Sequence, residues 1–234
     1  MHPADILEKL IQVQHTDSGR DELERLKKDQ LAQIAALDKK VAELKARIAA
    51  EKKVLEDQAK ARKTLEIEVG TLETKIKKYQ GQEGEVKSNE QMLALQHETA
   101  KAKEDRSKAE EKALEGLFRE DTLKAGIQGL QEQLDRDEQR AEQEKKEIRS
   151  KIGELDKALA EKLSERSAQL MELPEDFREG YEKLRNTNKK IAVAKVSDDR
   201  ICEGCHMNVP PQLLNEVKKG IAIHRCDCGR YLYL

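Results

Sequence analysis

From Leu23 to Tyr79 the apolar residues return at alternating steps of three and four. One register holds throughout, with Ile34, Val41, Ile48, Leu55, Val69 and Ile76 at its a positions and Leu37, Leu44, Leu65, Leu72 and Tyr79 at d. A seven-residue repeat kept this long predicts a coiled-coil strand rather than a helix lying on a globule. Roughly sixty residues of such helix extend about 90 Å. Arg62 interrupts the a positions, and Glu51 and Gln58 interrupt d. The plainest reading is that solvated seam positions tolerate them; the alternatives are charges on a second helix or a partner.

The pattern lapses at Gly81-Gln-Glu-Gly84, where two close glycines weaken a helix. Ser88 followed by Gln91 supplies a capping box that restarts it. A second stripe follows, through Ile127, Leu130, Leu134, Ala141, Ile148, Ile152, Leu155, Leu159 and Leu163, and Pro174 marks its stop. Two helices of similar length joined by a short break bury their seams most economically as an antiparallel hairpin. A pair of parallel homodimeric coils is the alternative, and it leaves the break unexplained. Residues 1–20 read as a separate small amphipathic helix carrying Ile6, Leu7, Leu10 and Ile11, ended near Ser18-Gly19 and folded back on the base.

Past Pro174 the periodicity changes. Glu175 to about Asn188 predicts a short helix with Phe177, Tyr181 and Leu184 on one side. Ile191–Val196 predicts a strand, and Ser197-Asp-Asp-Arg200 a turn. Pro210-Pro211 opens a helix of about two turns that Gly220 closes, and Tyr231–Leu234 predicts a last strand. The expected architecture is therefore mainly α. A long antiparallel coiled-coil hairpin occupies residues 1–174, turning near 80–88, and residues 175–234 carry a short helix and a small zinc ribbon.

The ribbon rests on the cysteines, all four of which fall in the last 33 residues as Cys202-Glu-Gly-Cys205 and Cys226-Asp-Cys228-Gly229. Two short Cys pairs on separate turns supply the four soft ligands of one tetrahedral zinc. A module this small has too little core to hold without the metal. Four thiolates leave no open coordination position, so the expected Zn²⁺ is structural. Disulfide or thiol-redox chemistry is the alternative, and the four-ligand count argues against it. His206 and His224 flank the pairs and are expected outside the ligand set, with His224 the more credible substitute. His2, His15 and His97 are expected as isolated, solvated side chains.

Composition narrows the function classes. The chain is 39% charged and 3% aromatic, without Trp, which is the profile of long solvated helices with a thin apolar seam. Net charge is −2, unevenly placed. From Arg178 onward there are 11 Lys/Arg against 7 Asp/Glu, a net of +4; residues 1–177 carry 34 against 40, a net of −6. No apolar run is long enough to span a membrane and the start does not resemble a secretory signal, so a cytoplasmic location without membrane insertion is expected. No Ser-His-Asp arrangement, phosphate-binding glycine loop or open metal site argues for an enzyme.

The order of a helical hairpin, then Cys202-Glu-Gly-Cys-His-Met-Asn-Val-Pro-Pro-Gln212, then Cys228-Gly-Arg-Tyr-Leu-Tyr233 resembles the bacterial four-cysteine zinc-ribbon coiled-coil family, long known as a domain of unknown function. Its members look like adaptors, among them a flagellar regulator in Helicobacter and a type III secretion-associated protein in Chlamydia. The resemblance implies as partners an alternative sigma factor of flagellar genes, flagellar or type III export components, and messenger RNA. It also implies metal binding by Cys202, Cys205, Cys226 and Cys228, with Gly229 and Arg230 matching the glycine and arginine that follow the family's last cysteine. The family places two residues within the second pair; here Asp227 stands alone, which changes how backbone N–H groups reach those sulfurs.

The function expected first is a non-enzymatic adaptor or regulator binding protein partners. The second is a regulator of RNA or other nucleic acid acting through the basic ribbon. Arg185, Lys189, Lys190, Lys195, Lys218, Lys219, Arg225 and Arg230 would contact phosphate, with Arg178 and Lys183 adding charge and Tyr181, Tyr231 and Tyr233 as stacking platforms. The plain alternative for these basic residues is a solvated surface with interleaved acids. In outline the chain also resembles coiled-coil factors that enter the RNA polymerase secondary channel, for which Glu83 and Glu85 are the candidate tip acids.

Overall fold

The structure, a computed structural model, describes every residue except Lys87, Asn188 and Lys189. Its helices are α1 (Pro3–Glu83), α2 (Asn89–Met171), α3 (Glu175–Thr187) and α4 (Pro211–Lys219); its strands are β1 (Val193–Lys195) and β2 (Tyr231–Tyr233). α1 and α2 form the expected hairpin; α1 runs on through Gly81 to Glu83, the break begins at Gly84, and the Ser88 carbonyl accepts from the Met92 N–H at the start of α2. The chain divides into two compact units, Ala35–Lys145 and the combination of Met1–Ile34 with Lys146–Leu234. No described helix is long and apolar enough to cross a membrane.

The Ala35–Lys145 unit is a two-helix seam. Ile48 and Ile76 are buried and the remaining expected a and d positions of α1 within it are half-buried, Glu51, Gln58 and Arg62 among them. On α2 the buried positions are Thr99, Ala102, Ala109, Glu120, Leu134 and Ala141. Ion pairs tie the strands of the hairpin in antiparallel register: Lys45 to Glu138 at 2.7 Å, Lys145 to Asp38, and Arg62 Nε to Glu120 Oε1 at 2.7 Å. Arg62 is thus more than a tolerated interruption. Its partner Glu120 is 3% exposed, and Gly116 lies flat against the Arg62 stem, where an added Cβ would sit 3.5 Å from the Arg62 Cβ.

The other unit closes a core from several elements. Ile6, Leu10 and Val13 of α1 pack with Leu170, Leu173, Tyr181, Ala192, Val193 and Tyr231. α1 runs unbroken through Ser18 and Gly19, against the expectation of a separate first helix. A lone helical glycine costs about 1 kcal/mol, and the buried residues of the turns just before it, from Ile6 to Asp17, outweigh that cost. The expected stripe also errs at Leu163, which is 53% exposed. The seam passes instead through Lys162 and Arg166, because Arg166 reaches a buried carboxylate on α1.

Pro174 turns the chain as expected, its carbonyl accepting from the Phe177 and Arg178 N–H groups that open α3. α3 lies close to β2 because Gly180 has no side chain; a Cβ there would come within 2.5 Å of the Tyr231 hydroxyl. β1 and β2 pair in parallel, Val193 with Tyr231 and Lys195 with Tyr233. Pro211 takes the first position of α4, and Gly220 ends it in the left-handed region at φ 64°, its N–H bonded to the Val217 carbonyl. Beneath α4 a second small core gathers Ala194, Val196, Val209, Val217 and Leu232 with Cys202 and Cys226.

Candidate metal centre

Each cysteine pair sits on a tight turn built by its own backbone. In the first, the Cys202 N–H donates to the Met207 carbonyl and the Cys202 carbonyl accepts from Cys205 and His206, with His206 in the left-handed region at φ 60°. In the second, the Cys226 N–H donates to the Arg230 carbonyl and the Gly229 N–H to the Cys226 carbonyl, with Gly229 at φ 87°. Antiparallel bridges Val196–Cys202 and Arg225–Tyr231 attach both turns to the strands.

The turns bring all four sulfurs within 4.8 Å of one another, and Cys205 and Cys226 are 3.7 Å apart at sulfur. A tetrahedron with Zn–S bonds near 2.3 Å has sulfur–sulfur edges of about 3.8 Å. No disulfide joins the four cysteines, so the donor set fits one zinc ion, and no coordination position is left for a substrate. Bound there, the metal would supply cross-linking of the two turns. The single-residue spacer Asp227 still delivers the Cys228 sulfur to the cluster.

The thiols are unevenly poised. Burial pushes Cys226 up to about 12 and raises Cys202. Burial also opposes ionisation of Cys228, but the Arg230 backbone N–H and then its guanidinium outweigh this and lower it to about 7. Among the described residues no histidine joins the cluster. His206 is exposed, and His224 faces Glu216 at 3.5 Å.

The basic residues expected at phosphate are not one surface. Arg185 is 5% exposed and pairs with Asp17 at 3.1 Å and Asp21 at 2.8 Å, so it is committed to carboxylates inside the fold. Arg230 is 6% exposed and donates to the Ile191 carbonyl. Arg225 stacks 4.4 Å over the Tyr231 ring, and Lys190 pairs with Asp21 at 3.1 Å. Tyr181 and Tyr231 are buried, which removes them as stacking platforms for bases. Lys195, Lys218 and Lys219 are exposed, and Lys189 lies outside the described residues.

The residue that sequence reasoning missed is Asp17. It is fully buried, accepts from Arg166 at 2.7 Å and from the Tyr181 hydroxyl at 2.8 Å, and forms an ion pair with Arg185 at 3.1 Å. An aspartate at an inward position of an otherwise apolar stripe is the only local signal, and its partners lie some 150 residues away in the chain.

A helical hairpin ending in two cysteine turns around one tetrahedral site defines a coiled-coil protein with a four-cysteine zinc ribbon. The chain belongs to the CT398-like coiled coil hairpin family, which it matches over residues 13–189, and residues 201–232 match the C4-type zinc ribbon domain. The resemblance drawn from the residues therefore holds. Among solved structures it is similar to CT398 from Chlamydia trachomatis, at TM-score 0.86 and 24% identity over 99% of this chain and 98% of that one. It is also similar to HP0958 from Helicobacter pylori, at TM-score 0.74 and 18% identity over 100% and 98%. A Mycobacterium smegmatis protein aligns at TM-score 0.70 and 19% identity over 98% and 97%. At these identities the likeness establishes a shared fold. A search of curated proteins finds no match.

Proposed function

We propose that the protein is a non-enzymatic cytoplasmic adaptor whose hairpin binds a helical segment of a protein partner. The observation that carries this reading is an inverted pattern in the first half of α2. Leu114, Leu117 and Phe118, spaced for one helical face, are 53, 40 and 65% exposed, while the seam beside them holds the Arg62–Glu120 pair. Val54 of α1, 47% exposed, lines a shallow apolar groove with Phe118 and Leu123. Apolar residues outside and charges inside stabilise a free hairpin poorly, and they suit a surface completed by another amphipathic helix. The closed four-thiolate site supports a role without catalysis, and cysteines held out of disulfides suit a reducing compartment. By resemblance, the partner is an alternative sigma factor or a flagellar or type III export component.

Full-length protein, a Leu117→Ser/Phe118→Ser variant and a Cys226→Ser/Cys228→Ser variant would be co-purified from native cells, with mass spectrometry, RNA sequencing and zinc content read on the same samples. Recovery of a sigma factor or export component by the parent, lost with the patch variant, is the expected result. Defined RNAs recovered in place of proteins would overturn it. The exposed Lys195, Lys218 and Lys219 favour that second reading, a nucleic-acid regulator acting through the ribbon. Lys218→Glu/Lys219→Glu would then abolish RNA recovery, and binding would fall steeply with salt.

A further inference from the structure

The segment Lys190–Val193, between α3 and the ribbon, is gripped from two directions. From α1, the Gln14 side-chain oxygen accepts from the Ala192 N–H at 2.7 Å and the Val193 N–H at 3.3 Å, and its amide donates to the Lys190 carbonyl at 3.2 Å. Arg185 donates to that same carbonyl at 3.1 Å. From the ribbon, Arg230 Nε donates to the Ile191 carbonyl at 3.0 Å, and the Arg230 guanidinium also donates to the Cys228 sulfur.

Space has been cleared for this arginine. A Cβ on Gly204 would lie 2.5 Å from Arg230 Cδ, 2.9 Å from its Nε and 3.1 Å from the Ala194 Cβ. Glycine between the first two cysteines therefore makes room for the Arg230 side chain to cross beneath the first turn. The turn itself does not demand it, since Gly204 has an ordinary backbone conformation.

We propose that Arg230 is a positioning residue that couples the zinc centre to the base of the hairpin, along the path Cys228–Arg230–Ile191–Gln14. Four thiolates around Zn²⁺ carry a net charge of about −2, which strengthens the bond from a guanidinium. Metal holds the Cys228 sulfur in place and so seats one end of Arg230; the other end holds the backbone that Gln14 grips. Coupling of this kind is reciprocal, so whatever metal does for Gln14's contacts, Gln14 does for metal affinity. The inference stands independently of the adaptor reading.

The test uses the full-length, zinc-loaded chain and two readouts: zinc affinity by competition with a chelator of known affinity, and amide exchange at Ala192 and Val193 with zinc bound or stripped. Stripping zinc from the parent is expected to lose the protection of both amides. Arg230→Ala should still bind one zinc per chain, about tenfold more weakly, with those amides under-protected even when loaded. Gln14→Ala, which touches no cysteine, should weaken zinc by about fivefold. Where Arg230→Ala does not fold, Arg230→Lys keeps the charge but cannot serve both Cys228 and Ile191, and is expected to behave the same way. Parent-like zinc affinity in Gln14→Ala would overturn the coupling, even with Arg230→Ala weakened. Parent-like affinity and protection in the arginine variants would overturn the role of Arg230.

Discussion

The seam of Ala35–Lys145 and the core of the other unit obey the same hydrophobic rule with different results. In the seam, two helices cover each other along one stripe, so most apolar positions keep a solvated edge and, among the described residues, six apolar side chains are buried, three of them alanines. In the other unit α1, α2, α3 and the strands converge, and Leu10, Val13, Tyr181 and Tyr231 are at most 1% exposed. Two helices make a seam; a third layer is what makes a core. The ion pairs follow the same division. Arg62–Glu120 lies with its arginine at the seam's edge, whereas Asp17 is fully enclosed and meets three arginines, Arg20, Arg166 and Arg185, and a tyrosine. A screened pair contributes little, and an enclosed one is costly to break because the remaining partners stay buried and charged.

Zinc removal should break this contrast most severely. Chelation or Cys226→Ser/Cys228→Ser is expected to unfold the ribbon, a loss on the order of 10 kcal/mol of metal-linked folding energy. Helical ellipticity at 222 nm should stay nearly intact, since α1 and α2 hold 81 and 83 residues. Simultaneous collapse of both signals would mean that the seam depends on the ribbon.

Asp17→Ala comes next. It removes the enclosed carboxylate that Arg166, Arg185 and the Tyr181 hydroxyl share, leaving the arginines only the more exposed Glu182 and Asp21, and should cost about 3 kcal/mol in urea denaturation. Breaking Arg62–Glu120 by Glu120→Ala should cost distinctly less, because Arg62 can turn to water and still meets Glu66. Equal losses would erase the distinction between enclosed and edge pairs.

Leucine truncations sharpen it further. Leu10→Ala, at a site with no exposure, should cost about 3 kcal/mol, and the half-buried Leu55→Ala about 1 kcal/mol, read by the same denaturation curves.

The smallest effect is one of pH. Burial, then the charge and hydrogen bond of Asp17, hold the Tyr181 hydroxyl well above its ordinary 10.0, with Arg185 and Arg166 opposing. The folded state therefore keeps a proton that the unfolded chain loses, so this contribution is complete below pH 10 and is lost as pH rises beyond it. Unfolding free energies from urea curves of zinc-loaded protein should fall between pH 10 and 11 by about 1 kcal/mol more in the parent than in Tyr181→Phe. Parallel curves would show that the tyrosine ionises freely.

Much of the fold was legible before any coordinates. The heptad from Leu23 to Tyr79, the glycine break, Pro174, the short helix capped by Gly220 and the two cysteine pairs are all local patterns, and the structure reproduces each. The misreadings share a cause. Ser18-Gly19 looked like a helix end, Leu163 like a seam residue and Arg185 like a phosphate contact, because each was judged by its neighbours in sequence. What settles them is remote: Asp17 pulls Arg166 into the seam in place of Leu163, and claims Arg185 for the interior.

By itself, the sequence determined the helices, their pairing stripe and the metal's ligands, since helical period and ligand spacing are carried by residues a few positions apart. Only the tertiary structure decided which charges are enclosed, where the apolar patch of Leu114, Leu117 and Phe118 faces, and how Gln14 and Arg230 come to hold one stretch of backbone. Burial and long-range hydrogen bonds depend on what chain folding brings together, and no local period encodes a partner some 150 residues away.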